Sequence, residues 1–176
     1  MPKLIGILIA LLSLAFGATG QEAFTGKPVT SYDSVKGETT VEMLNIPLTA
    51  DNGGKYKNFN ISTVFKGKDL TSKPVDVLFI VQVVNAKGHH YPDQNTVALM
   101  SNGSELGKVA LLNLDQRAYP ETTDTLETLG TRMPIALYQK LTRSKQAVTF
   151  KIGETSFTIA TANLSNLSDF EKAITP

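Results

Sequence analysis

Hydrophobic residues recur at every second position along much of this chain, which is the period of a β-strand. The clearest case is the stretch 75–84. One of its faces carries five large apolar residues, which are Val75, Val77, Phe79, Val81 and Val83. The opposite face carries Leu78, Ile80 and Val84. A strand that is apolar on both faces is covered from both sides, so we expect 75–84 to lie in the middle of a sheet.

An Asn-Gly pair marks the first predicted hairpin. Asn102 and Gly103 separate two segments with strand character, 96–101 and 105–112, and both residue types tolerate the positive φ of a two-residue turn. The predicted register has two pairs, Ser101 with Ser104 and Leu99 with Leu106.

A second hairpin is predicted over residues 146–161. Gly153 and Glu154 suit a two-residue turn with Gly in the first position. A shift of one residue would turn the apolar side chains of this hairpin towards water, so the register is well specified. Its predicted pairs are Phe150 with Phe157, and Val148 with Ile159.

The remaining elements follow from the same patterns. Further strands are predicted at 40–48, 56–66 and 125–133, and the polar stretch 113–124 is predicted to be a loop. Pro134 suits the first turn of a helix, because its missing N–H has no partner there in any case. This helix carries apolar residues at helical spacing, which are Ile135, Tyr138 and Leu141. A final helix over 163–174 presents an apolar stripe of Leu164, Leu167 and Phe170.

These elements predict a mainly β fold with about eight strands and two short helices near the C-terminus. Sequential hairpins without alternating strand–helix units favour an antiparallel β-sandwich, with an open barrel as the alternative. The chain has 176 residues and no cysteine, so its folded part must be held by packing alone, without disulfides or thiolate metal sites.

The first twenty residues predict a secretory signal peptide. Lys3 precedes an apolar run over 4–16, and small residues follow up to Gly20. The run is shorter than the roughly 20 residues that a membrane-spanning helix needs. We expect cleavage after Gly20 and export to the periplasm or the extracellular space, with no membrane attachment afterwards. Residues 21–40 then form an N-terminal arm or edge strand, and 41–176 form one domain.

The charge balance argues against one class of partner. The chain has 17 basic and 16 acidic residues, and removal of Lys3 with the signal peptide leaves equal numbers of each. A nucleic-acid-binding protein needs a basic face to neutralise phosphates. We therefore expect no nucleic-acid partner.

No catalytic motif is present, so the sequence predicts no catalytic residues, no cofactor and no metal site. A serine-hydrolase elbow, a nucleotide-binding loop and a calcium loop are all missing. Histidine occurs only at His89 and His90. A pair formed by His90 and Asp93 would suit zinc, but the sequence offers no further ligands at a recognisable spacing.

Binding is the functional class that the sequence favours. Two loops, 85–95 and 113–124, would form a recognition surface if they met at one end of the sandwich. Their candidate binding residues are His90, Tyr91, Asp93, Arg117 and Tyr119. The alternative is that these are ordinary loop residues with half-buried tyrosines.

The last third of the chain resembles a family of exported bacterial β-rich domains of uncharacterised function. The resemblance covers about 125–174 and lies in a short helix, a Val-x-Phe-x-Ile-Gly hairpin and a closing helix. These correspond to Pro134 to Leu141, Val148 to Gly153 with Phe157 to Ile159, and the segment after 163. The resemblance implies a bacterial source and a non-enzymatic role, and it supplies no catalytic residues.

Two functional hypotheses follow. The first is an exported, non-enzymatic domain that binds a protein or a cell-envelope component, or that serves a structural role. The second is a hydrolase whose site is assembled from dispersed acidic residues together with His89 or His90.

Overall fold

The computed structural model describes residues 26–50, 55–72, 74–85, 91, 95–120 and 122–175, with only the backbone of 55–58. Within these residues the chain forms eleven strands and two α-helices. The strands are β1 Val29–Asp33, β2 Glu38–Met43, β3 Thr49–Ala50, β4 Lys55–Lys66, β5 Asp76–Asn85, β6 Thr96–Ser101, β7 Ser104–Ala110, β8 Leu112–Ala118, β9 Thr125–Pro134, β10 Val148–Ile152 and β11 Thr155–Ile159. The helices are α1 Ile135–Thr142 and α2 Leu164–Ala173, and the short 3₁₀ helix Thr161–Asn163 precedes α2.

The strands form two antiparallel sheets. Sheet A has the order β1-β2-β4-β5-β9-β8, and sheet B has the order β3-β11-β10-β6-β7. Strand β5 lies between β4 and β9, so the prediction of a central strand at 75–84 is confirmed. The predicted β-sandwich agrees with this architecture of two sheets and no closed barrel. The two sheets include more strands than the eight predicted.

The core lies between the two sheets and consists of their facing side chains. Phe59 and Phe79 of sheet A pack on Phe150 of sheet B, with ring centroids 5.5 and 5.3 Å from that of Phe150. Phe157 lies opposite Phe150 on the neighbouring strand, as predicted. A cavity of about 20 Å³ remains among these rings and the apolar side chains around them. Its apolar walls offer no partners for a water molecule, so we expect it to be dry.

The two helices close one end of the sandwich. Tyr138 of α1 packs against Phe79, and its hydroxyl donates a hydrogen bond of 2.6 Å to the carbonyl oxygen of Leu167 in α2. Phe170 of α2 packs edge-on against the same tyrosine ring. Burial raises the pKa of the Tyr138 hydroxyl far above its usual range, so it remains a donor. No helix in the described part of the chain is long and apolar enough to cross a membrane.

Both predicted hairpins form, and one register differs from its prediction. Ser101 faces Ser104 as expected, and Asn102 has the positive φ that the turn requires. However, Leu99 pairs with Gly107 rather than with Leu106. The register shifts after Met100, which pairs with Glu105, so Leu106 is the extra residue of a β-bulge.

The prediction of a loop at 113–124 is wrong for the first half of that segment. Residues Leu112–Ala118 form β8, which pairs with β9 at the edge of sheet A. Within the described chain, β9 is the only strand next to β8, and β8 has a bulge between Asn113 and Asp115. An edge strand of this kind tolerates polar residues on both faces. The segment therefore lacks the alternation by which strands are recognised in a sequence.

Two smaller corrections concern strand ends. The strand predicted at 40–48 ends at Met43, since Asn45 has a positive φ and interrupts the extended backbone. Val75 precedes β5 rather than forming part of its buried face, and its side chain is 85% exposed. Its carbonyl oxygen accepts a hydrogen bond from the backbone N–H of Ile135 at the start of α1. Within 21–40, which is predicted to be an N-terminal arm or edge strand, residues 29–33 form β1.

Candidate functional site

The end of the sandwich opposite the helices brings three strand termini together. Asn85 at the end of β5 pairs with Thr125 at the start of β9, and Thr125 pairs on its other side with Ala118 at the end of β8. Asn85 and Ala118, the last residues of β5 and β8, therefore flank Thr125 at one end of sheet A. The structure thus places Asn85, where the predicted loop 85–95 begins, next to Thr125, which follows the predicted segment 113–124.

Internal hydrogen bonds hold the turn between β8 and β9. The backbone N–H of Tyr119 donates to the carbonyl oxygen of Asp124 at 2.9 Å, which closes the turn. Thr122 donates from both its backbone N–H and its hydroxyl to the carbonyl oxygen of Tyr119, at 3.2 and 3.1 Å. The Thr122 hydroxyl oxygen accepts in turn from the N–H of Asp124 at 3.1 Å. Such local side-chain bonds give a turn a defined shape.

A shallow, open cleft lies between this turn and the last residues of β8. Its walls are formed by Gln116, Arg117, Ala118 and residues 122–125. Arg117 is nearly half exposed, and its Nε lies 3.7 Å from a carboxylate oxygen of Asp115 two residues earlier on the same strand. We name this feature the β8–β9 cleft. In this cleft β8 offers the guanidinium group of Arg117, and the turn offers threonine hydroxyl groups and the carboxylate of Asp124.

Tyr91 does not contribute to an exposed surface. Only 3% of its side chain is exposed, and it belongs to the core cluster between the sheets. Its hydroxyl donates to Oγ1 of Thr155, 3.2 Å away at the start of β11. Burial raises the pKa of the Tyr91 hydroxyl, the hydrogen bond to Thr155 opposes that rise, and the Glu127 carboxylate adds to it. The Tyr91 side chain is therefore held in the sandwich interior by both its ring and its hydroxyl.

A buried polar pair, absent from the predicted binding residues, lies beside Tyr91. The side-chain amide of Asn85 donates a hydrogen bond to the carboxylate of Glu127, and both side chains are at least nine-tenths buried. Glu127 shares the inward face of β9 with Leu129 and Met133, both core residues. The sequence does indicate the burial of Glu127, because the alternation along 125–133 assigns residue 127 to the same face as these apolar neighbours.

Arg117 and Tyr91 lie on opposite sides of sheet A. Arg117 pairs with Leu126, while Glu127, the residue next to Leu126, points into the interior towards Tyr91. Neighbouring residues of a strand point to opposite faces. Arg117 therefore lines the β8–β9 cleft, Tyr119 begins the turn beside it, and Tyr91 is separated from both.

The histidines and Asp93 lie outside the described residues, as do the cleavage site predicted after Gly20 and the signal peptide. Among the residues that the structure describes, no group of three or more His, Cys, Asp or Glu side chains could hold a metal ion. Comparisons with protein-family models, with curated proteins and with solved structures found no match to this chain.

Proposed function

We propose that this chain is an exported, non-enzymatic β-sandwich domain that binds a protein or a cell-envelope component through the end of the sandwich opposite its helices. The observation that carries the proposal is the adjacency of Asn85, Thr125 and Ala118. This adjacency puts the end of β5 next to the turn that forms the β8–β9 cleft, at one end of a rigid framework. Loops positioned by a rigid sandwich are a common way to build a recognition surface.

The chemistry of the cleft supports a polar partner. Arg117 is exposed and able to form charge-assisted hydrogen bonds with a carboxylate or phosphate. The threonines of the turn add neutral donors and acceptors. The balanced net charge of the chain favours local recognition over long-range attraction to a charged polymer.

The buried Asn85–Glu127 pair supports the rigidity of this end. A buried charged group that lacks its hydrogen-bond partners is costly, so the amide of Asn85 restricts the positions that the Glu127 side chain can adopt. Asn85 is the last residue of β5, and Glu127 lies near the start of β9, which the turn 119–124 leads into. The hydrogen bond between these two side chains thereby restrains β5 and β9 relative to each other at this end of the sandwich.

An affinity-capture experiment from the native envelope or culture medium tests the proposal. The purified protein carrying Arg117→Ala is compared with the wild type and with Arg143→Ala. Arg143 is an exposed arginine at the helix end of the sandwich and controls for the loss of one positive charge. We expect the wild type and Arg143→Ala to capture one component equally. Capture by Arg117→Ala should be lost or reduced at least tenfold, because a hydrogen bond to a charged group contributes about 1.5–3 kcal/mol.

Equal capture by the two variants would contradict a recognition surface at the β8–β9 cleft. Export is tested separately, by sequencing the N-terminus of the protein recovered outside the cytoplasm. We expect Gln21 as the first residue, because small residues precede it at the predicted cleavage site. A retained Met1 would contradict cleavage.

A further inference from the structure

Strand β1 forms an open edge of sheet A. All five of its residues are exposed, and within the described chain its only neighbour is β2. In an antiparallel pair, every second residue points both its N–H and its C=O away from the neighbouring strand. The outer side of β1 therefore presents backbone donors and acceptors that an additional strand can pair with.

The other sheet edges among the described residues carry features that discourage such pairing. Strand β3 has only two residues. Strand β7 is bulged and carries the Glu105–Lys108 ion pair at 3.3 Å, and β8 is bulged and carries Asp115 and Arg117. Charges, bulges and short length are the usual protections of an edge strand.

Strand β1 has none of these protections over most of its length. Its sequence is Val-Thr-Ser-Tyr-Asp, it pairs with β2 in unbroken register, and its first four residues are uncharged. The side chains of Val29 and Tyr32 are 41% and 45% exposed. Residues with high β-propensity at an unprotected edge favour the addition of a further strand.

We propose that β1 pairs with β1 of a second copy of this chain, giving a two-fold symmetric dimer in which sheet A continues across both copies. Outward-pointing backbone groups must face one another, and this condition is met when the symmetry axis passes through Ser31. Ser31 then faces Ser31 of the second copy, and Val29 faces Asp33. All five residues of β1 are paired in this register.

The charges at the two ends of β1 fit an antiparallel arrangement. Lys27 is exposed just before the strand, and Asp33 ends it. Antiparallel pairing about Ser31 brings Lys27 of each copy diagonal to Asp33 of the other, within reach of a cross-strand ion pair. The Asp33 carboxylate also accepts hydrogen bonds from the backbone N–H groups of Val35 and Lys36, and it lies 3.7 Å from the Lys36 ammonium group. Parallel pairing would instead place Lys27 near Lys27 and Asp33 near Asp33, so the charge pattern favours the antiparallel arrangement.

Sedimentation equilibrium of the whole purified protein, from micromolar to millimolar concentration, tests this proposal. We expect a monomer–dimer equilibrium in the wild type. Ser31→Lys directly opposes two positive charges across the axis and weakens self-association roughly fivefold. Ser104→Lys, which adds the same charge at an exposed position of β7 in sheet B, is the matched control and leaves the dimer unchanged.

A charge-complementation experiment makes the test specific for this register. Ser31→Glu alone weakens the dimer as Ser31→Lys does, but an equimolar mixture of the two variants associates at least as strongly as the wild type. A protein that stays monomeric throughout the concentration range would overturn the proposal. So would an unchanged dimer in Ser31→Lys, or a mixture that associates no better than either variant alone.

Discussion

The ring of Phe79 lies against the ring of Phe150, with centroids 5.3 Å apart, and the two residues belong to different sheets. Phe59 packs on the same two rings from the neighbouring strand β4. Because no disulfide is available, aromatic contacts of this kind must hold the sheets together. The stability of the sandwich should therefore depend strongly on these side chains.

Truncation of Phe150 tests this dependence. Phe150→Ala should lower the free energy of unfolding by about 3–5 kcal/mol, because it removes a buried ring and enlarges the cavity between the sheets. Lys151→Ala, at the exposed position next to it, should change the free energy by less than about 0.5 kcal/mol. Urea unfolding measures both values. A loss below about 1 kcal/mol for Phe150→Ala would contradict the packing described.

Close packing over Gly130 leads to a second prediction. A Cβ at residue 130 would lie 2.6 Å from Cδ1 of Leu114 and 3.3 Å from the carbonyl oxygen of Phe79. Gly130→Ala should therefore destabilise the fold by about 1–3 kcal/mol.

Leu114→Ala provides the control for this contact. In the background of Leu114→Ala, the cost of Gly130→Ala should fall by at least half, because the nearest atom has been removed. Thermal or urea unfolding of the two single variants and the double variant gives the comparison. Additive losses would show that the leucine does not press on residue 130.

The hydrogen bond between Tyr91 and Thr155 leads to a third prediction. Tyr91→Phe and Thr155→Val should each cost about 0.5–1.5 kcal/mol of unfolding free energy, because each leaves a part-buried hydroxyl without its partner. The double variant should lose less than the sum of the single losses. Losses that add without coupling would mean that the two hydroxyls do not interact.

The pH dependence of stability should reveal the half-buried carboxyl group of Glu42. Burial raises the pKa of Glu42, so the folded chain binds the proton more tightly than the unfolded chain. Its contribution to stability is therefore most favourable below the ordinary pKa of a glutamate and is lost as the pH rises through the raised pKa. Glu42→Gln should stabilise the protein at about pH 7 and have little effect at about pH 3.

Urea unfolding at the two pH values measures this difference. Glu154→Gln, at an exposed turn position, controls for the removal of one negative charge. A gain from Glu42→Gln that is as large at low pH as at neutral pH would contradict an origin in the ionised carboxylate.

Sequence patterns predicted those parts of the fold that depend on residues close together along the chain. Gly153 and Glu154 fix the register of β10 and β11, so the pairing of Phe150 with Phe157 followed from the turn alone. The central position of β5 followed from its two apolar faces. In both cases the signal lies within a few residues along the chain.

The candidate site was less accessible to sequence reasoning, because its determinants are distant along the chain. Tyr91 is buried by contact with Thr155, which lies 64 residues further on. The sequence around Arg117 predicts a loop, because edge strand β8 lacks a sustained alternation of apolar and polar residues. The pairing of Asn85 with Thr125, which brings the strand ends together, depends on a sheet order that no local pattern encodes.

Site-specific photo-crosslinking tests the proposed recognition end most directly. A photoreactive residue replaces exposed Thr123 in the β8–β9 cleft or, in the control protein, exposed Val75 beside the helices. Both proteins are irradiated in the native envelope or medium, and the adducts are separated by mass. We expect one defined adduct from position 123 and none from position 75. An adduct formed from position 75 but not from position 123 would contradict recognition through the β8–β9 cleft.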